Sequence, residues 1–142
     1  VRLAIVTTTS RANVDALLGR HLGPAWATWF AVVVCGEDVR AKKPAPNAYM
    51  LALRVLGLTP TSCVAIEDSP AGVAAARAAG VPVMVTRSVY FTHDAFEGAI
   101  AVGPGLHRRD GWQPALDDAD VTRAARDVRG ITLDDIAAWS LV

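Results

Sequence analysis

A chain of 142 residues fits one domain and is long enough to bury a core of its own. With 52% hydrophobic and 20% charged residues, it reads as globular rather than disordered. Fourteen Lys and Arg balance fourteen Asp and Glu without a basic run, which argues against a nucleic-acid or membrane-surface partner. No stretch is long or apolar enough to span a bilayer, and no signal-peptide pattern is read at the start. Cys35 and Cys63 lack metal-ligand spacing and read as buried free thiols, so a cytoplasmic monomer is expected.

Strand-like and helix-like signals alternate along the chain. Leu3 to Val6 is a short apolar run that ends in Thr7-Thr8-Thr9-Ser10. Ser10 can cap a helix carrying Val14, Leu17, Leu18 and Leu22, with Gly23-Pro24 as its stop. Trp26, Trp29 and Phe30 lead into the β-branched run Val32-Val33-Val34, which closes at Gly36-Glu37-Asp38. Pro44 and Pro46 introduce a helix over 47–56, with Gly57 as its terminator. Val64-Ala65-Ile66 is a third strand, an alanine-rich helix over 71–79 stops at Gly80, and Val83-Met84-Val85 is a fourth strand. Runs apolar on both faces suit a parallel sheet covered by helices on both sides. Beyond Arg87 the signal weakens to a short edge strand over 99–102, and Thr132 can cap a last helical turn through Trp139.

Three polar clusters each follow a predicted strand, at the carboxyl end where open α/β sheets hold ligands. Thr7, Thr8, Thr9, Ser10 and Arg11 put hydroxyls and backbone N–H groups at a strand-to-helix turn. That turn suits a phosphate oxygen, and equally a plain Ser/Thr helix cap. In Lys42-Lys43-Pro44-Ala45-Pro46 the prolines stiffen the backbone and set a lysine ahead of a helix start. A fixed ammonium there can neutralise a phosphoryl group in transfer; an exposed lysine pair is the plainer reading. Glu67 and Asp68 are adjacent carboxylates at a strand end, costly unless a cation shares them, and Mg²⁺ accepts so sparse a site. The plainer alternative is Asp68 or Ser69 as the N-cap of the next helix. His21, His93 and His107 are too scattered for a zinc site.

Residues 1–102 resemble the haloacid-dehalogenase (HAD) superfamily. Leu3-Ala4-Ile5-Val6-Thr7 resembles its second motif, Lys43-Pro44-Ala45-Pro46 its third, and Val64-Ala65-Ile66-Glu67-Asp68-Ser69, continued by Ala71-Gly72 and Ala75-Ala76, its fourth. Within the superfamily, Thr7-Thr8-Thr9-Ser10-Arg11-Ala12-Asn13-Val14, Cys35-Gly36-Glu37-Asp38-Val39, Thr86-Arg87-Ser88-Val89-Tyr90-Phe91 and Ile131-Thr132-Leu133-Asp134-Asp135 resemble the CbbY-like group, close to the β-phosphoglucomutase-like one. The resemblance implies an α/β fold: a Rossmann-like, three-layer α/β/α core with a parallel sheet. It implies a partial core domain over 1–110 and a C-terminal tail over 111–142 with a short helix.

By the same resemblance, the parent is a Mg²⁺-dependent phosphoric monoester hydrolase acting on a phosphorylated sugar, most closely xylulose-1,5-bisphosphate, a Calvin-cycle by-product. The alternatives are a β-phosphoglucomutase-like phosphotransferase and a non-catalytic phosphate-binding pseudo-enzyme. Thr7 and Lys43 are the implied phosphoryl-holding catalytic residues, and Thr8, Thr9, Ser10 and Arg11 extend the phosphate cradle. Asp68 and Glu67 are the implied Mg²⁺ ligands, and Arg11 is a candidate for a second phosphate, because guanidinium suits bidentate contact. The family's first motif, an Asp-x-Asp pair with the nucleophile, is not found after a strand; Asp118-Ala119-Asp120 lies in the polar tail. A truncated core lacking the central strand and the helical cap is therefore expected, with open strand edges and no turnover by this chain alone.

Overall fold

The computed structural model describes residues 1–114 and 130–140. Asp118-Ala119-Asp120 lies outside the described residues. The elements run β1 (Leu3–Val6), α1 (Arg11–Leu22), a 3₁₀ turn (Trp26–Trp29), β2 (Phe30–Val34), α2 (Asn47–Leu56), a second 3₁₀ turn (Pro60–Ser62), β3 (Ala65–Glu67), α3 (Pro70–Ala78), β4 (Val83–Thr86), β5 (Ala101–Gly103) and α4 (Leu133–Ser140).

The expected helix signals act as such. The Ser10 hydroxyl accepts from the Asn13 N–H at 3.3 Å and caps α1, and Ser69 does the same for α3 through Gly72 N–H at 3.1 Å. Gly57 ends α2 in the left-handed region at φ 64°, its N–H turned back to the Leu53 and Arg54 carbonyls. Strand boundaries shift by one or two residues from the expectation: β2 starts at Phe30, β3 takes in Glu67, and β5 is Ala101–Gly103. In each case the partner strand's hydrogen bonds, which hydropathy does not encode, set the limit.

All strand pairs are parallel, and they form two sheets: β1 with β2, and β3–β4–β5. Pleat alternation assigns the faces of the first sheet. Ile5 and Val33 pack with Val14 of α1 and Trp26, while Val6, Val32 and Val34 pack with Ala48 and Ala52 of α2. In the second sheet, Ala65, Val83 and Val85 meet Val73 and Ala76 of α3, together with Tyr49 of α2. Its other face, Met84 and Ala101, meets Trp112 and Trp139. The result is a helix–sheet–helix sandwich in which α2 touches β1, β2 and α3. Neither β1 nor β3 pairs along its second edge within the described residues, and Leu3 and Ile66 stay about half exposed there. The expectation of strands buried on both sides therefore holds for β4 and fails for β1.

The described residues of the segment expected as a tail, 111–114 and 130–140, pack onto the second sheet through polar as well as apolar contacts. Thr132 and Asp135 cap each other reciprocally at the start of α4, with N–H to oxygen distances of 2.8 and 3.3 Å. The Asp135 carboxylate is buried and takes two N–H groups of Arg109, at 2.6 and 2.9 Å. Trp139 stacks on Trp112 with ring centroids 4.8 Å apart. Removing one partner of a buried pair leaves an uncompensated charge. Arg109→Met is therefore expected to lower stability by about 3 kcal/mol in urea unfolding, and adding Asp135→Asn, which removes the charge and keeps an acceptor for the Thr132 N–H, should restore part of the loss.

Candidate active site

The three polar clusters stand at carboxyl ends of strands, and the structure joins two of them by direct contact. Lys43, just before α2, sends its ammonium to the Val6 carbonyl at the end of β1, at 2.9 Å, and to Glu67 Oε1 at the end of β3, at 2.5 Å. The ion pair is largely shielded, with side-chain exposures of 10% for Lys43 and 7% for Glu67. The Tyr49 hydroxyl donates to the same Glu67 oxygen, and the Lys43 ammonium sits 5.2 Å from the centroid of the Tyr49 ring. Burial first, then the charge of Glu67, pushes the Tyr49 phenol well above its ordinary range, so it remains a hydrogen-bond donor.

Thr7 continues β1 by donating its backbone N–H to the Val34 carbonyl at 2.9 Å, and its hydroxyl oxygen accepts from the Thr9 N–H at 3.2 Å. Thr9 in turn accepts from the Asn13 side-chain amide at 3.1 Å. These contacts use hydroxyl lone pairs and leave the O–H hydrogens of Thr7, Thr9 and Ser10 free to donate. Thr8 and Ser10 are exposed beside them. The cluster is thus a helix cap that retains its hydroxyl donors.

Arg11 is held elsewhere. Its guanidinium bonds Asp38 at 3.0 Å and the Val33 carbonyl at 2.9 Å, and its backbone N–H donates to Glu37 at 2.8 Å. That last bond is the main cause lowering the Glu37 carboxyl below its ordinary range.

The two adjacent carboxylates differ sharply. Glu67 is buried with Lys43 as its counter-cation, whereas Asp68 is exposed and makes no hydrogen bond or ion pair with another described residue. The cost of adjacent carboxylates is therefore met for Glu67 by Lys43 itself. Among the described residues, no three His, Cys, Asp or Glu side chains gather into a metal site. Asp68 alone offers an open carboxylate, which fits Mg²⁺ in the sense that this ion takes one or two carboxylates and fills its shell with water and phosphate. His21, His93 and His107 are separate and exposed, and Cys35 and Cys63 are free thiols, the first buried.

A family model described as haloacid dehalogenase-like hydrolase matches residues 1–80, more than half of the chain. The chain belongs to that family. It is 50% identical over 104 residues to the plasmid-encoded protein CbbY of Cupriavidus necator, covering 73% of this chain and 41% of that protein. A crystal structure of a CbbY variant from Rhodobacter sphaeroides in complex with xylulose-(1,5)bisphosphate matches at 44% identity and a TM-score of 0.66, over 69% of this chain and 44% of that one. A candidate β-phosphoglucomutase from Thermotoga maritima matches at 30% identity and a TM-score of 0.61, over 72% of this chain and 47% of that one. The chain thus spans less than half the length of these relatives, and its similarity lies with the CbbY-like and β-phosphoglucomutase-like members of the HAD family. No helix among the described residues is long and apolar enough to cross a membrane.

Two further residues shape the site: Tyr49, which the sequence did not mark for it, and Gly72, which it marked only as a continuation of the fourth motif. Tyr49 reads there only as one apolar position of a helix. Gly72 approaches the Glu67 carboxylate so closely that a Cβ would stand 1.8 Å from Oε2. Alanine in place of glycine inside a helix ordinarily gains about 1 kcal/mol. Here it would displace Glu67 from Lys43 and Tyr49, and hydrogen bonds to charged groups contribute about 1.5–3 kcal/mol each. Gly72→Ala is therefore expected to lower the melting temperature, against the helix-propensity trend; Ala74→Gly, on the exposed side of α3, should show the ordinary trend.

Proposed function

We propose that the chain carries the phosphate- and metal-handling half of a Mg²⁺-dependent HAD sugar-phosphate phosphatase, with xylulose-1,5-bisphosphate as the substrate. One observation carries the reading: Lys43 bridges the ends of β1 and β3, between the Thr7 hydroxyl cluster and the open Asp68 carboxylate. A phosphoryl group between those ends would meet hydroxyl donors on one side and an ammonium on the other. Such preorganised donors stabilise charge that develops in transfer. The complex of the similar CbbY protein with xylulose-(1,5)bisphosphate supports the choice of substrate.

Within this reading each residue has a defined task. Thr7, with Thr8, Thr9 and Ser10, donates to phosphoryl oxygens. Lys43 neutralises them. Asp68 would hold Mg²⁺; Glu67, expected beside it as a ligand, is instead buried against Lys43 and Tyr49 and would fix the lysine next to the ion. When bound, the ion supplies further positive charge to the phosphoryl oxygens. The reading needs a nucleophilic carboxylate of the family's Asp-x-Asp type, which this sequence does not show after a strand. Arg11 would take the second phosphate of a bisphosphate. Its pair with Asp38 is no obstacle: both side chains are partly exposed, at 45% and 33%. Solvent screening makes such an exposed pair weak, and a dianionic phosphate can take its place.

A phosphotransferase reading of β-phosphoglucomutase type is the second candidate, favoured by the match to the Thermotoga maritima protein. Turnover of xylulose-1,5-bisphosphate against β-glucose-1-phosphate by the whole protein separates the two. Inorganic phosphate release from the first, abolished by chelation and restored by Mg²⁺, supports the phosphatase. Isomerisation of the second without phosphate release would replace it. Lys43→Ala should lower kcat about a hundredfold or more. Arg11→Ala should raise KM for a bisphosphate more than for a monophosphate; equal effects would remove Arg11 from the site.

A further inference from the structure

Lysine has three N–H donors. In Lys43 one reaches the Val6 carbonyl and one Glu67 Oε1, leaving a third. The direction of that third N–H depends on how firmly the other two are held. A carboxylate with the ammonium as its only donor can rotate and draw the remaining N–H onto its second oxygen. Glu67 is not in that position. Its Oε1 is also claimed by the Tyr49 hydroxyl, and its Oε2 lies against the backbone of Gly72, where no side chain intervenes. The Tyr49 ring flanks the ammonium as well, 5.2 Å away.

We infer that Tyr49 is a positioning residue for phosphoryl transfer: its hydroxyl and ring fix the Glu67–Lys43 pair so that the third N–H of Lys43 is kept for a phosphoryl oxygen. The inference rests on reading this site as a phosphoryl-transfer centre. A tyrosine whose only task was to fill the core would not need its hydroxyl on the carboxylate that holds the lysine. Tyr49 is 7% exposed and already packs beside Val73, Val83 and Val85. Phenylalanine would supply the same packing and leave the buried carboxylate one donor short.

The test is a kinetic comparison in the whole protein with Mg²⁺ and a sugar phosphate it turns over. Tyr49→Phe should reduce kcat about tenfold or more, the scale of a hydrogen bond to a charged group, while KM stays within about twofold. In a Lys43→Ala background the same substitution should have little further effect on kcat, because the group it positions is gone. A role confined to packing would leave kcat unchanged, since phenylalanine keeps the ring, and a role confined to stability would lower the melting temperature and act equally in both backgrounds. An unchanged kcat in a folded Tyr49→Phe protein overturns the inference and leaves the phosphatase reading intact. Absence of turnover by the unsubstituted protein overturns both. If Tyr49→Phe does not fold, 3-fluorotyrosine at position 49 keeps the hydroxyl and alters its donor strength. A changed kcat at unchanged stability then supports the inference, and an unchanged one refutes it.

Discussion

A buried ammonium is costly unless every N–H it turns inward finds an acceptor, and the site is organised around meeting that demand for Lys43. Its acceptors come from different places in the chain: a backbone carbonyl at the end of β1 and a carboxylate at the end of β3, with a tyrosine ring from α2 alongside. Because β1 and β3 belong to separate sheets within the described residues, Lys43 is also a polar tie across the space between them. Helix α2 reinforces that tie. It packs Ala48 and Ala52 against the first sheet and Tyr49 into the core of the second. Anything that displaces α2 moves the lysine, its carboxylate and the relative position of the two strand ends together.

How far the sequence reveals this depends on the kind of information each feature needs. Ser10, Ser69 and Gly57 are local signals, satisfied within a few residues of themselves, and the helices start or stop where they indicate. The order of Thr7, Lys43 and Glu67-Asp68 after successive strands was equally legible, since strand ends are where α/β sheets gather polar groups. Two facts were not. The partner of Glu67 depends on how α2 lies across the sheets, and a single tyrosine in an apolar helical pattern gives no sign that its hydroxyl faces a carboxylate. Arg11 likewise looks free in sequence, while Asp38, which engages it, arrives through the parallel pairing of β1 with β2. Residues 111–114 and 130–140 read as a tail because the grouping of Trp112, Trp139 and Asp135 is long-range.

The same comparison separates contacts that hold the fold from contacts a ligand can replace. Asp135 and Arg109 are shielded and bidentate, so their geometry is fixed by the core around them. Arg11 and Asp38 are open to water and worth little as a pair, yet they hold a guanidinium at the edge of the hydroxyl cluster. A weak pair of this kind can give way to a stronger acceptor at small cost. Lys43 lies between the two classes, with two donors committed to the fold and one left over.

The contrast between Glu67 and Asp68 follows from the pleat. Ala65 and Glu67 lie on the same side of β3 and are buried, while Ile66 between them is about half exposed. Glu67 is thereby directed into the layer that contains Tyr49 and Gly72, where it meets the Lys43 ammonium and the Tyr49 hydroxyl. Asp68 follows the last residue of the strand and escapes the alternation, so it stays in water with its lone pairs unclaimed. One carboxylate is thus used to hold a cation that belongs to the protein, and the next is available for a cation that does not. Exchanging the two residue types would shorten by one methylene the side chain that meets Lys43 and Tyr49, and would put in water the longer one, which loses more rotamer freedom on binding an ion. The order Glu-Asp at this strand end thus matches the pleat: the buried position carries the carboxylate that meets Lys43, and the exposed one stays open.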